Sequence, residues 1–265
     1  TSPTIGGAIK KLSGFARGRS LPTLHPTTLA AWHARHANPG TLKYQHGRVH
    51  LFCDEFTNYN DTPVGQKAVE LLNRLGYEVV IPAHAPSGRA HFSKGLVRAA
   101  RELAIRNVTL LKDVVTDAAP LIGLEPSAIL GFRDEYPDLM PPELKEAARG
   151  LSRRALLIDE FVAREMDAGH IRREQFTTDA RAIKLHGHCH QKALSSLTPT
   201  VRMLELPANH RVQLIPSGCC GMAGSFGYEA DHIELSLRMG EVTLFPAVRA
   251  QPAEALPRDG DDAVR

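Results

Sequence analysis

The chain is predicted to be an α/β protein of two tandem repeats, each a short parallel sheet flanked by helices, with the second repeat truncated. Three observations carry this. Short apolar runs alternate with amphipathic helical stretches, the pattern of a parallel sheet covered by helices. One such run in each half leads into a cysteine, Cys53 and then Cys189, and the next ends in proline, Pro82 and then Pro216. The spacing to the following turn is also similar, 34 positions from Cys53 to Ser87 and 31 from Cys189 to Cys220. Pro86-Ser87-Gly88-Arg89-Ala90 thus corresponds to Cys219-Cys220-Gly221-Met222-Ala223, and the first half reads as a copy that has lost its cysteine pair.

Taken in order, Arg48-Val-His-Leu-Phe52 is a strand delivering Cys53 at its end, followed by a polar loop from Asp54 to Pro63. Val64, Ala68, Leu71, Leu72 and Leu75 define the apolar face of a helix over 64–75, which Gly76 stops. Tyr77 to Ile81 is a strand, and one long helix runs from Ser93, its N-cap, to Val115. Pro120 to Leu124 is a third strand, and Glu125-Pro126-Ser127 turns into another helix. Residues 141–176 read as helical, with Leu156, Leu157, Phe161 and Val162 inward. Strands follow at Ala182–His186 and Arg211–Ile215, with a short helix or turn at 201–206 between them and a helix from Ala230 to Met239 after. The organisation is an N-terminal helical linker (1–44), a degenerate first repeat (45–150), a helical connector (151–181) and a second repeat carrying the cysteine pair (182–265).

Composition narrows the class. The 265 residues suffice for one large or two small cores. A net charge of +3 is too mild to argue for nucleic acid as a partner. There is no apolar run of membrane-spanning length and no signal peptide. Four cysteines, two of them adjacent, do not form a secreted disulfide framework and suit a reducing cytoplasm. The chain opens at Thr1 without methionine and closes on the polar Leu256–Arg265 tail, which reads as a fragment of a longer polypeptide.

Cys219-Cys220-Gly221, in Ile215-Pro-Ser-Gly-Cys-Cys-Gly-Met-Ala-Gly-Ser-Phe-Gly227, is the most informative feature. Adjacent cysteines are poorly placed to bridge each other. Their thiolates can both serve a multi-iron cluster, and soft sulfur donors favour iron–sulfur or zinc. Flanking glycines let backbone amides approach cluster sulfurs. Cys189 lies within Leu185-His-Gly-His-Cys-His190 and adds a third thiolate. His186, His188 and His190 are nearby nitrogen donors. The plain alternative for the pair is two buried thiols in a glycine-rich turn. Cys53 reads as structural, Arg133 to Tyr136 as a salt-bridged helix end, and Asp54-Glu55 lacks the alternation of a calcium loop.

A cysteine followed some thirty residues later by Cys-Cys-Gly, on a tandem α/β repeat, resembles the cysteine-rich (CCG) domain of iron–sulfur oxidoreductase subunits, such as that of glycolate oxidase. The stretches Leu51-Phe-Cys-Asp-Glu-Phe-Thr-Asn-Tyr-Asn60, Glu125-Pro-Ser-Ala-Ile-Leu130, Arg133-Asp-Glu-Tyr136, His186-Gly-His-Cys189 and Gly218-Cys-Cys-Gly-Met-Ala-Gly-Ser-Phe-Gly-Tyr228 are similar to the C-terminal portion of bacterial FAD-binding and iron–sulfur-binding proteins of the D-lactate or D-2-hydroxyglutarate dehydrogenase type. The resemblance implies an electron-transfer region that accepts electrons from an upstream flavin. It also implies a 4Fe-4S type cluster at Cys189, Cys219 and Cys220, with FAD-binding and ferredoxin-like regions as partners in the same polypeptide or complex. It implies a cytoplasmic address, with a peripheral position at the inner membrane as the alternative, and no activity for this region alone. The sequence departs from the family where its second repeat would reach a further cysteine-bearing turn; here the chain has Leu256–Arg265 and no cysteine. The fourth ligand is then missing, or comes from a histidine or from another chain.

A second reading takes His188, Cys189, Cys219 and Cys220 as a tetrahedral zinc set in a redox-inert docking domain, although zinc modules usually bring their ligands in close pairs. Thiol–disulfide chemistry at the pair is a third reading; the heterodisulfide reductase subunit that suggests it has complete ligand sets in both repeats, and this chain has neither.

Overall fold

A computed structural model describes residue 10 and residues 12–36 and 43–251. The first nine residues and the tail from 252 onward, including Leu256–Arg265, lie outside the described residues. The elements run α1 (Leu29–His36), β1 (Arg48–Leu51), α2 (Glu55–Tyr59), α3 (Thr62–Arg74), β2 (Glu78–Val80), α4 (Arg89–Ser93) and α5 (Val97–Leu111). They continue with β3 (Leu121–Gly123), α6 (Pro126–Ile129), α7 (Glu135–Leu139), α8 (Lys145–Arg154), β4 (Ala155–Leu157) and α9 (Ile158–Asp167). Then follow β5 (Arg181–Leu185), α10 (Cys189–Leu194), α11 (Thr198–Leu204), β6 (His210–Leu214), α12 (Ile233–Val242) and α13 (Leu244–Arg249).

The chain groups into two units, one of Leu24–Arg181 with His190–Arg211, the other of Thr1–Thr23, Ala182–Cys189 and Val212–Arg265. The larger unit holds a parallel sheet in the order β2-β1-β3-β4. Val49 lies opposite Val79, His50 opposite Leu121, and Leu121 opposite Ala155. Its strands are short and apolar because both faces are covered. One face packs Val108, Leu111, Ile129, Phe132 and Leu151, the other Leu29, Val69, Leu72, Phe161 and Val162.

Several elements differ from the sequence expectation, each for a local reason. The loop after Cys53 contains α2, because the Asp54 carboxylate accepts the Phe56 and Thr57 amides and starts a helix there. The core face of α3 uses Val69, while Val64 is exposed, so the inward face is rotated from the one expected. The long helix expected over Ser93–Val115 is shorter, with α5 covering Val97–Leu111. Ser93 ends α4 rather than capping a helix, and Gly95, at φ 71°, breaks the run before α5. The stretch expected to be wholly helical contains β4, held on the edge of the sheet by pairing with β3. A three-residue strand has too few positions to show alternation, so only the pairing reveals it.

In the smaller unit β5 and β6 form a two-stranded sheet. Ile215 N–H donates to the Leu185 carbonyl at 2.9 Å just beyond the strand ends. The N-terminal segment joins this unit through a bridge between Phe15 and Glu229, with Ala16 N–H donating to the Tyr228 carbonyl at 2.8 Å. Among the described residues, Ala16 and Ile215 are its only buried hydrophobic side chains. No helix among the described residues is long and apolar enough to cross a membrane.

Candidate functional site

Cys189, Cys219 and Cys220 all fall in the smaller unit, on the segments that leave β5 and β6. Cys189 follows the His186–His188 loop and opens α10; it is exposed. Cys219 and Cys220 are half-buried on the turn after β6. None of the four cysteines is in a disulfide. The Gly221 amide donates to Cys219 Sγ at 3.3 Å.

That turn is built around glycine. Gly221 has φ 80°, and a Cβ there would lie 2.3 Å from the Ser236 carbonyl oxygen on α12. A Cβ on Gly227 would lie 2.2 Å from Met222 Sδ. The backbone therefore packs directly on α12, where Ser236 and Gly240 form a buried small-residue edge. Cys219 and Gly218, with Met239, Val242 and Thr243, line a cavity of about 160 Å³. His186 Nδ1 hydrogen-bonds Ser217 Oγ across the two loops.

Cys219 and Cys220 sit on a turn with one amide already directed at sulfur, and thiol donors suit a soft metal group; Cys189 stands apart in sequence, on the segment that leaves β5. Among the described residues, no group of three or more His, Cys, Asp or Glu side chains is placed to hold a metal ion.

The corresponding place in the larger unit is locked by hydrogen bonds. Gly88 has φ 77°, matching Gly221 at 80° in the position after Ser87 and Cys220 respectively, so the two turns share a backbone feature. Ser87 Oγ donates to Glu55 Oε1 at 2.7 Å, and the Ser87 amide donates to Glu55 Oε2 at 3.0 Å. Tyr136 Oη donates to the Ser87 carbonyl at 2.9 Å, and Asn107 Nδ2 to the Pro86 carbonyl at 3.0 Å. Cys53 is buried, with its thiol donating to Asn58 Oδ1 at 3.5 Å. Burial, with the adjacent Asp54 charge, pushes this thiol up to about 12, so it stays protonated and unreactive at neutral pH. Asp54 is buried too, and desolvation pushes its carboxyl up to about 6 against the opposing bonds from Thr57.

The Arg133–Tyr136 stretch is a set of ties rather than a reactive group. Arg133 Nε donates to the Ala155 carbonyl at 2.8 Å, and Arg133 pairs with Glu160. Glu135 pairs with Arg89 at 2.5 Å. Ser217 and Ser236 support the turn although sequence reasoning does not pick them out. The signal for Ser217 is its place two residues before Cys219 at a strand end; for Ser236 it is the spacing to Gly240 on one helix face.

With an α/β fold and a thiol-rich turn established, comparison with known proteins places the chain among relatives of oxidoreductases. It is 27% identical over 208 residues to D-2-hydroxyglutarate dehydrogenase of Pantoea ananatis, covering 78% of this chain and 19% of that protein. It is 25% identical over 247 residues to a subunit of the anaerobic glycerol-3-phosphate dehydrogenase of Escherichia coli, covering 91% of this chain and 59% of the relative. It is 26% identical over 205 residues to lactate utilization protein A of Geobacillus thermodenitrificans, covering 74% and 77%. These three matches cover between 74% and 91% of the chain. The chain spans about a fifth of the D-2-hydroxyglutarate dehydrogenases it matches, 19% in the Pantoea ananatis protein. No family model and no solved structure matches the chain.

Proposed function

We propose that the chain is the iron–sulfur-binding electron-transfer region of an FAD-linked dehydrogenase acting on 2-hydroxy acids. Cys189, Cys219 and Cys220 are the protein ligands. The observation that carries this reading is the Cys219 turn, where two adjacent unbridged thiols sit on a glycine-built backbone and the Gly221 amide donates to a sulfur. Amide donors to sulfur tune the reduction potential of such centres. The relatives' names add support, since they are dehydrogenases of a 2-hydroxy acid and of glycerol-3-phosphate, and a lactate utilization protein.

When bound, a 4Fe-4S type cluster supplies one-electron transfer. The chain's own residues hold the thiolates and orient an amide dipole toward sulfur. Electrons arrive from a flavin region upstream in the same polypeptide or complex, next to a ferredoxin-like region. In this reading the first repeat is a scaffold: its counterpart turn is closed by Ser87, Glu55 and Tyr136, and its Cys53 is protonated. The region acts in the cytoplasm, free or against the inner membrane. The zinc reading, with His188 as fourth donor, needs all four donors within about 2.0–2.3 Å of one ion. The long separation of Cys189 from Cys219 favours the cluster, since zinc modules usually bring their ligands in close pairs.

Anaerobic reconstitution with iron and sulfide tests this, beside the Cys219→Ser/Cys220→Ser variant. Bound iron with broad visible absorption, lost in the variant, is the expected result. Colourless stoichiometric zinc overturns it in favour of the docking domain.

A further inference from the structure

We infer that His186 is a positioning residue for the cysteine site: through Ser217 it sets the Cys189 loop against the Cys219–Cys220 turn. This rests on the electron-transfer reading above. The backbone bond from Ile215 to Leu185 joins the two segments at the strand ends. One residue further, the contact passes to side chains, His186 Nδ1 to Ser217 Oγ. The Ser217 amide turns back onto the Ile215 carbonyl at 2.7 Å, which fixes where its hydroxyl stands. Cys189 lies three residues beyond His186, and Cys219 two residues beyond Ser217.

From there the turn is anchored in sequence. The Gly221 amide holds Cys219 Sγ, and Gly221 rests on the Ser236 carbonyl of α12. The His186–Ser217 bond therefore links the Cys189 loop, which leaves β5, to a turn seated on a helix. Ligand sets on loops depend on such supports, because a site loosened by an ångström loses its geometry. The same bond could instead orient His186 as a ligand through Nε2, and the two roles separate by substitution. Asparagine replaces the Nδ1 group of histidine but offers nothing at Nε2.

The test uses the full chain with His186→Ala, His186→Asn, Ser217→Ala and the His186→Ala/Ser217→Ala double variant. Amide hydrogen exchange is measured over 186–190 and 217–222 in the metal-free chain. Iron content and the electron paramagnetic resonance spectrum are measured after reconstitution and reduction. His186→Ala is expected to speed exchange in the Cys219 turn, and Ser217→Ala in the Cys189 loop, each roughly fivefold. The double variant should be no worse than either single one. Both alanine variants should hold less iron and shift the spectrum, and His186→Asn should restore exchange, iron and spectrum together.

Exchange changes confined to each residue's own loop overturn the inference. So does a His186→Asn variant that restores exchange but not iron, which would make His186 a ligand. If the parent chain takes up no iron, the cluster reading fails, and the exchange pattern still decides whether His186 positions the two loops.

Discussion

At the residue scale, charge and glycine set the two sharpest expectations. Asp54 has a folded pKa near 6, above its ordinary value of 3.8, because burial disfavours the carboxylate. Between those values the folded chain binds a proton that the unfolded chain has released. Stability from this group is therefore present below about pH 4 and lost as pH rises through 6. Asp54→Asn keeps an oxygen for the Phe56 and Thr57 amides without the buried charge. Urea midpoints should favour the variant by on the order of 2–3 kcal/mol at pH 7.5, with the gap narrowing steadily as pH falls toward 4. A gap that does not change with pH would refute the buried carboxylate. At Gly221, alanine meets both a positive φ of 80° and the Ser236 carbonyl oxygen, whereas a Cβ on Gly218 would have nothing within 4 Å and that residue has no positive φ. Gly221→Ala should abolish iron uptake and Gly218→Ala should leave it near the parent level; equal behaviour of the two would count against the packed turn.

At the element scale, β4 depends on its clamp. A three-residue strand has little pairing energy of its own, and Arg133 holds it by donating to the Ala155 carbonyl while pairing with Glu160. Glu160 in turn accepts the Leu157 amide at 2.8 Å and the Ser195 hydroxyl at 2.5 Å. Arg133→Ala leaves a half-buried carboxylate and a strand carbonyl without this partner. It should cost roughly 2–4 kcal/mol in denaturant unfolding, with faster amide exchange at 155–157. An effect under about 0.5 kcal/mol, the scale of exposed pairs, would mean the clamp is not what retains the strand.

At the scale of the whole molecule, the two units are unequally equipped. The larger has apolar clusters on both faces of a four-stranded sheet, while the smaller buries only Ala16 and Ile215 among the described hydrophobic residues. A unit with so little core gains stability from any ligand that binds its folded form, and metal ligation by thiolates couples to folding. Reconstitution with iron and sulfide should slow amide exchange in 182–189 and 212–249 and leave 97–111 and 145–162 unchanged. Equal protection throughout the chain, or none, would separate metal binding from the folding of this unit.

The sequence alone determined the α/β class, the alternation of β1 to β3 with their helices, and the cysteine-bearing turns. These rest on short-range signals: apolar runs, glycine stops and the spacing of Cys53, Cys189 and Cys220. Gly88 and Gly221, which the spacing pairs, both have positive φ, 77° and 80°. Tertiary structure alone decided the rest. The identity of β4 comes from pairing with β3, the split of α4 from α5 from a left-handed Gly95, and the inward face of α3 from packing around Val69. The inertness of Cys53 and the raised pKa of Asp54 come from desolvation, which a chain shows only once folded. The His186–Ser217 bond joins residues 31 positions apart, and no local pattern announces a contact that exists only because two strands lie side by side.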